Sequence, residues 1–464
     1  MRNVLALWLL LASSSPLVRF GPNISVSGHG SGVAFQNETS IAANPKDPKN
    51  LVAVFQGGQD EFDPEQGCFF SFTTDGGKTW QFGGRVPQQK AGNFCSDPAI
   101  ASDAEGNFYF SHLDVDFSQP GLVDFDVDVA RSIDGGKTFS SFSIAIDFIP
   151  SDLTSPQPDK PYVAVDTGDL SPFKGSLYVG YTDFSDRRGA AIAVVVSQDG
   201  GSTWSTPVPV AEPQGNERFG IGRFGALPVV TQEGTVYVFY SEFPFTGSGP
   251  LTIGFTKSTD GGRKWSKAAS VASNLPSPGF FMLKNASPDF GSVPFTGLFV
   301  NSSPTAAVAP DGTLFVAWTD FPNGSCLPDG SPEPPCSDSD VRLSLSRDAG
   351  TSWTAPVKVS DETTGTDQFF PWIAAHPDGD LSLTWVDRRN DTDNVNYDIF
   401  YTRMRDGAHF LPNVRVSSAT SLLGLNDFIG DYIGLAVSSR GIFPLWTDAR
   451  SGTPQVFTAR GMLP

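Results

Sequence analysis

The stretch TTDGGKTW, Thr73 to Trp80, decides the fold because it does not occur only once. It returns as SIDGGKTF from Ser132, SQDGGSTW from Ser197, STDGGRKW from Ser258 and SRDAGTSW from Ser346. In each copy an aspartate can accept hydrogen bonds from the backbone N–H groups that follow it. The glycines tolerate positive φ, and the closing aromatic can turn back into the gap between layers. Turn chemistry alone accounts for Asp75, Asp134, Asp199, Asp260 and Asp348, so these acids are assigned to structure rather than to catalysis.

Two short alternating runs around a polar turn accompany these motifs. They read SIAANPKDPKNLVAVFQ from Ser40, AIASDAEGNFYFSHLD from Ala99, YVAVDTGDLSPFKGSLYVGYTD from Tyr162 and VVTQEGTVYVFYSE from Val229. Three more follow: AAVAPDGTLFVAWTD from Ala306, IAAHPDGDLSLTWVD from Ile373 and LAVSSRGIFPLWTD from Leu435. A period of roughly sixty residues marks a repeat architecture. Each unit reads as strands A and B from the hairpin, C leading into the aspartate turn and D leaving it. Four-stranded sheets repeated radially make an all-β propeller, which leaves only short, protected sheet edges. The sixth unit keeps only a worn turn, RDGAHF from Arg405, and the last ends after PQVFTAR from Pro454 with no D strand. PNISVSG from Pro22 resembles PNVRVSS from Pro412, which holds the D position of the sixth unit. The N-terminal strand is therefore expected to complete the last blade and close a seven-bladed ring, with six blades as the alternative if one hairpin is an insertion.

Composition agrees with one large β domain. Of 464 residues, 12% are aromatic and 17% charged, and 48 Gly and 37 Pro are spread along the chain. A formal charge of −19 with no basic cluster argues against nucleic acid as a partner, while the same acidity suits Ca²⁺. No set of residues reads as a metal site. The start, MRNVLALWLLLASSSP, has a basic residue, an apolar run and small residues in the order of a secretory signal. Residues 1–20 are therefore set aside as a leader, and 21–464 are read as a single propeller domain, secreted or periplasmic. No other run is apolar for long enough to span a membrane. Four cysteines in an exported chain predict two disulfides, Cys326 with Cys336 and Cys68 with Cys95.

The five turns match the Asp-box S/T-x-D-x-G-x-T-W/F, and the chain resembles the sialidase superfamily of bacterial neuraminidase repeat proteins over nearly all of residues 21–464. DQFFPWIAAHPDGDLSLTWVDRRND from Asp367 and GDYIGLAVSSRGIFPLWTDAR from Gly430 are similar to stretches of secreted bacterial sialidase-like proteins. The resemblance implies a glycan ligand and an exo-sialidase type of glycoside hydrolase: a tyrosine nucleophile assisted by glutamate, an aspartate acid/base and three arginines on the substrate carboxylate. Carried over here, Tyr432 with Glu38 and Asp97 are the catalytic candidates. The family's early Phe/Tyr-Arg-Ile-Pro motif is absent, so the clamp falls to Arg223, Arg389 and Arg450, with Arg388, Asp159 and Asp431 nearby. Bidentate geometry is the reason to look for arginine there.

Independently of the resemblance, the acids at the ends of strand B (Asp114, Asp183, Glu242, Asp320, Asp387 and Asp448) recur in most units and are read as loop caps that pair with neighbouring arginines. Residues that break the repeat, Arg218 among them, are the more informative ones. Two other functions suit the same face: a propeller that binds carbohydrate, protein or Ca²⁺ without turnover, and a glycosidase of another specificity working through two mouth carboxylates.

Overall fold

The computed structural model describes residues 18–28, 31–60, 63, 66–119, 122–149, 155–185, 189–213, 221–244, 250–277, 279–284, 298–323, 336–424 and 428–462. Among them every regular element is a strand. Seven antiparallel sheets make seven blades in chain order. Blade 1 is typical, with strands A to D at Phe35–Ala43, Leu51–Gly58, Gly67–Thr73 and Gln81–Arg85. The A strands of blades 2 to 7 start at Phe94, Pro158, Ile221, Thr305, Gln368 and Gly434. The six-bladed alternative is not realised, because all seven hairpins form blades. An extra hairpin, Phe280–Leu283 with Leu298–Asn301, lies between blades 4 and 5.

The ring closes as the PNISVSG resemblance predicts. Ile24 and Ser25 pair with Thr458 and Phe457, supplying the missing D strand of blade 7. Val26 N donates to Val456 O at 3.0 Å, and Val26 is fully buried among Phe55, Phe443 and Leu445. Arg19 and Phe20, the last residues of the segment assigned to the leader, pair with Met462 and Gly461.

Apolar residues face neighbouring blades, so the core is divided into wedges between sheets. Val52, Val54, Phe70 and Phe72 of blade 1 pack on Ile100, Phe108 and Phe110 of blade 2, and Phe139 closes that wedge. Phe139 is the closing aromatic of a turn motif, as are Trp80, Trp204, Trp265 and Trp353, which also pack on these clusters. In the first turn Asp75 Oδ1 accepts from Lys78 N (2.9 Å) and Thr79 N (3.0 Å), and Oδ2 accepts from the Thr79 hydroxyl (2.7 Å). Gly76 and Gly77 sit at φ 78° and 76°, and a Cβ on Gly77 would lie 2.8 Å from the Phe443 ring. The Cys68–Cys95 disulfide joins blades 1 and 2. Cys336 is also disulfide-bonded, and Cys326 lies outside the described residues.

Candidate functional site at the channel mouth

Each A strand begins beside the central channel, and in most blades it begins with a bulge. Register breaks fall between Asn37 and Ser40, Ser96 and Ala99, Asp159 and Tyr162, Phe224 and Leu227, and Phe369 and Trp372. The residue in the break has positive φ: Glu38 (49°), Asp97 (53°), Lys160 (52°), Gly225 (77°) and Phe370 (48°). Four of these five are not glycine, and left-handed backbone at such residues is strained and concentrates at functional positions. Bulges re-aim side chains. Here they bring one residue per blade, otherwise on successive strands, to the same level of the channel.

The result is a compact charged cluster. Glu38 Oε2 accepts from Asp97 N at 3.1 Å, and Lys160 Nζ lies 3.1 Å from Asp431 Oδ2. Glu38, Asp97 and Lys160 are buried, Asp159 is half-buried, and Asp431 is 18% exposed, so the cluster opens toward Asp431 and Asp159. Burial, then the Asp97 and Asp431 charges, pushes the Glu38 carboxyl well up; Asp97 is pushed well up by burial and by Asp159. Asp97 and Asp159 hydrogen-bond through their side chains. Two carboxyls in contact cannot both ionise freely; burial raises both, and the Lys160 charge opposes the rise at each. Asp431 Oδ1 is buried and has no hydrogen-bond partner among the described residues.

Below the charges, aromatic rings fill the channel. Tyr162, Trp372 and Tyr432, from blades 3, 6 and 7, form a triangle with centroids 6.0, 5.7 and 6.3 Å apart. Lys160 Nζ stands 4.6 Å over the Tyr432 ring. A cation over an aromatic face is attracted by the ring quadrupole, which helps hold this buried ammonium. The Tyr432 hydroxyl donates to Pro98 O at 3.1 Å, and burial holds its phenol well above the usual range. The cavity bounded by Lys160, Tyr162, Asn301, Trp372, Asp431 and Tyr432 holds about 20 Å³, enough for roughly one water. A sugar would therefore sit on the rim.

Of the sequence candidates, the fold brings Glu38, Asp97, Asp159, Asp431 and Tyr432 together. The arginines are placed elsewhere. Arg389 grips Asp387 with Nε at 2.9 Å and Nη2 at 2.7 Å, and Arg450 grips Asp448 at 2.7 and 2.6 Å. In both blades a fully buried tryptophan, Trp385 or Trp446, donates to the same aspartate. Asp320 takes a matching bond from Trp318. These strand-B acids are therefore structural anchors, with a Trp-x-Asp-x-Arg spacing in blades 6 and 7. Arg388 lies buried against Asp367 (3.3 Å) and Asn394 O (2.9 Å), and Arg223 against Glu242 (2.9 Å). No hydrogen bond, ion pair or ring contact among the described residues joins these four arginines to the cluster. Arg187, Arg188 and Arg218 lie outside the described residues.

Lys160, Tyr162, Trp372 and Phe370 were not anticipated from sequence. A signal for them exists, because a proline follows the bulge residue in Asp97-Pro98, Lys160-Pro161 and Phe370-Pro371, and Ser303-Pro304 keeps the same place in blade 5. Aligning those prolines would have put Lys160 in register with Asp97 and Phe370.

No protein-family model and no curated relative matches the chain. Solved structures do. An ulvan lyase of polysaccharide lyase family PL25 is similar at TM-score 0.55 and 10% identity, over 93% of this chain and 95% of that one. A protein of unknown function from Dyadobacter fermentans matches at 0.50 and 15%, over 80% and 94%. A leech intramolecular trans-sialidase matches at 0.44 and 12%, over 96% and 70%. At such identities the likeness to the first two is one of fold alone, and this chain's own sheets make that fold a seven-bladed β-propeller.

Proposed function

We propose that this is an exported, glycan-directed propeller whose channel mouth cleaves a glycosidic linkage, with Asp97 as proton donor and Asp159 as the carboxylate that holds its proton. The observation that carries the reading is the Asp97–Asp159 carboxyl pair beside the Lys160–Asp431 ion pair, on a floor of aromatic rings. A buried acid whose carboxyl is pushed well up by burial suits protonation of a leaving-group oxygen. Asp431, whose side chain is 18% exposed, is the group available to water or to the sugar from the other side. The disulfide between Cys68 and Cys95 suits an oxidising compartment.

The substrate favoured here is a neutral or amino sugar. Four carboxyls face a single ammonium, and the guanidinium forks of Arg389 and Arg450 are already filled by Asp387 and Asp448. Exo-sialidase action is the second reading, supported by the presence of Tyr432, Glu38 and Asp97 in one cluster; it requires the Tyr432 hydroxyl to leave Pro98 O.

The test is release of aglycone from a panel of neutral, amino and sialic aryl glycosides by wild type, Asp97→Asn and Tyr432→Phe. Turnover of a neutral or amino glycoside that falls about 10²-fold or more in Asp97→Asn is expected. Sialoside turnover abolished by Tyr432→Phe establishes the second reading instead. A folded wild type that neither binds nor cleaves any member overturns both.

A further inference from the structure

Blade 2 departs from the repeat on the face where the A strands begin. In blades 3, 5, 6 and 7 strand B stops at its acid, Asp183, Asp320, Asp387 or Asp448. In blade 2 it runs on past Asp114 to Gln119, and strand C, Leu122–Ser132, begins early enough to stay paired, with Asp116 opposite Asp124 and Gln119 opposite Leu122. Strand B has twelve residues here and seven to nine in the other blades, so a four-stranded blade does not need this length. Strand A pairs with it only as far as Phe94 opposite Val115. The hairpin therefore projects past the start of strand A.

This projection makes one wall of a cleft. Val115 to Ser118 line it together with Lys90 to Phe94, the segment that leads from blade 1 into strand A of blade 2, and with Asp63 of blade 1. The cleft holds about 590 Å³, a volume within the range of small-molecule sites, whereas the cavity at the channel holds about one water. Phe117 is 57% exposed, and its ring lies 6.0 Å from that of Phe94 at 73°. An apolar ring left this open in a cleft with polar edges marks a ligand groove more readily than a core position. Asp116 accepts from Ser118 N at 2.8 Å and pairs with Lys90, whose side chain is 60% exposed. An ammonium has three donors, so Lys90 can also serve a ligand.

We infer that this cleft is a sugar subsite, an assignment that rests on the glycan-directed reading of the mouth. It holds a neutral unit of an oligosaccharide whose far end lies at the channel, with the Phe117 ring against C–H groups of the sugar and with Lys90 and Asp116 on its hydroxyls. The face of a phenyl ring is the negative end of its quadrupole. Sugar C–H groups, polarised by the oxygens beside them, are positive and meet that face favourably. Asp63 and Asp116 outnumber Lys90, so a uronate or sulfated unit is disfavoured. Phe94 is three residues before Asp97 on the same strand, hence within about 11 Å of it along the backbone. A chain anchored at Phe117 thus reaches Asp97 within a short oligosaccharide, and the substrate is an oligosaccharide rather than a single glycoside. The concave shape and modest volume suit a sugar better than a protein partner, whose interface would spread over a far larger and flatter area.

The experiment titrates full-length protein with cellopentaose, xylopentaose, arabinopentaose and mannopentaose, and with the four parent monosaccharides, following heat of binding in wild type, Phe117→Ala and Phe117→Tyr. At least one pentasaccharide is expected to bind about tenfold or more tighter than its monosaccharide, an advantage that Phe117→Ala loses and Phe117→Tyr, which keeps the ring, retains. Phe117 is exposed, so neither variant disturbs the core. Wild type that binds no pentasaccharide, or none better than its monosaccharide, overturns the inference, as does unchanged pentasaccharide affinity in Phe117→Ala. Phe117-dependent binding without cleavage of any glycoside leaves the subsite standing and removes the catalytic reading; cleavage of aryl glycosides without a chain-length effect on binding does the reverse.

Discussion

Asp75 shows how much one half-buried side chain can organise. Its two oxygens collect the Lys78 and Thr79 backbone donors and the Thr73 and Thr79 hydroxyls, and Asp134 and Asp199 repeat the pattern. Losing such a cap costs about 1 kcal/mol, so Asp75→Ala is expected to lower unfolding free energy in urea by that amount, with aryl glycoside turnover unchanged. These bonds hold Asp75, Asp199 and Asp348 down at about 2. A carboxyl lowered in the fold gives stability that is full above its unfolded value and is lost as pH falls through the folded one. Tm is therefore expected to drop between about pH 4 and pH 2, and more shallowly in Asp75→Ala. Asp97 has the opposite sign: raised in the fold, it stabilises at low pH and loses that contribution as pH rises past the ordinary carboxylate range. Asp97→Asn is accordingly expected to raise Tm at pH 7 relative to pH 4 while lowering turnover; equal Tm differences at both pH values would refute the raised Asp97. Such a gain in stability at the expense of function is common at active sites.

At the level of elements, the turn and the bulge have different jobs. The aspartate turn joins strands C and D in five blades, where its closing aromatic packs between sheets, as Phe139 does between blades 1 and 2. The bulge at the start of strand A also recurs, but its residue is free to vary, and Glu38, Asp97, Lys160 and Phe370 are the result. Gly430, at φ 86°, lets blade 7 come close to Glu38: a Cβ there would lie 2.6 Å from Glu38 N. The closing strand is held lightly, with Ile24 and Ser25 paired in its ladder with blade 7 and Val26 N bonded to Val456 O. Val26→Pro removes the bond to Val456 O and disturbs a buried position, so an earlier, broader thermal transition with local proteolysis near blade 7 is expected. A single unshifted transition would mean that the ring does not depend on this strand.

Over the whole molecule, sequence by itself determined the repeat. Five aspartate turns and seven hairpins state the period and the four-strand unit and favour seven blades over six, because turn chemistry and two-residue alternation are local and survive without knowledge of neighbours. Even ring closure was legible, since PNISVSG and PNVRVSS carry the same strand. What converges at the channel was decided only by tertiary structure. Glu38 and Tyr432 lie nearly four hundred positions apart, and blades 1 and 7 become neighbours only once the ring shuts. Tyr162 and Trp372 meet across the channel for the same reason. The arginines illustrate the limit from the other side. Their type and number suit a carboxylate clamp, but Arg389 and Arg450 are held by aspartates two residues before them, a contact that the Trp-x-Asp-x-Arg spacing contains and the family resemblance obscures. Local bonds are written in local sequence, whereas a site assembled from the first residue of several A strands depends on how far each bulge turns its side chain toward a common axis.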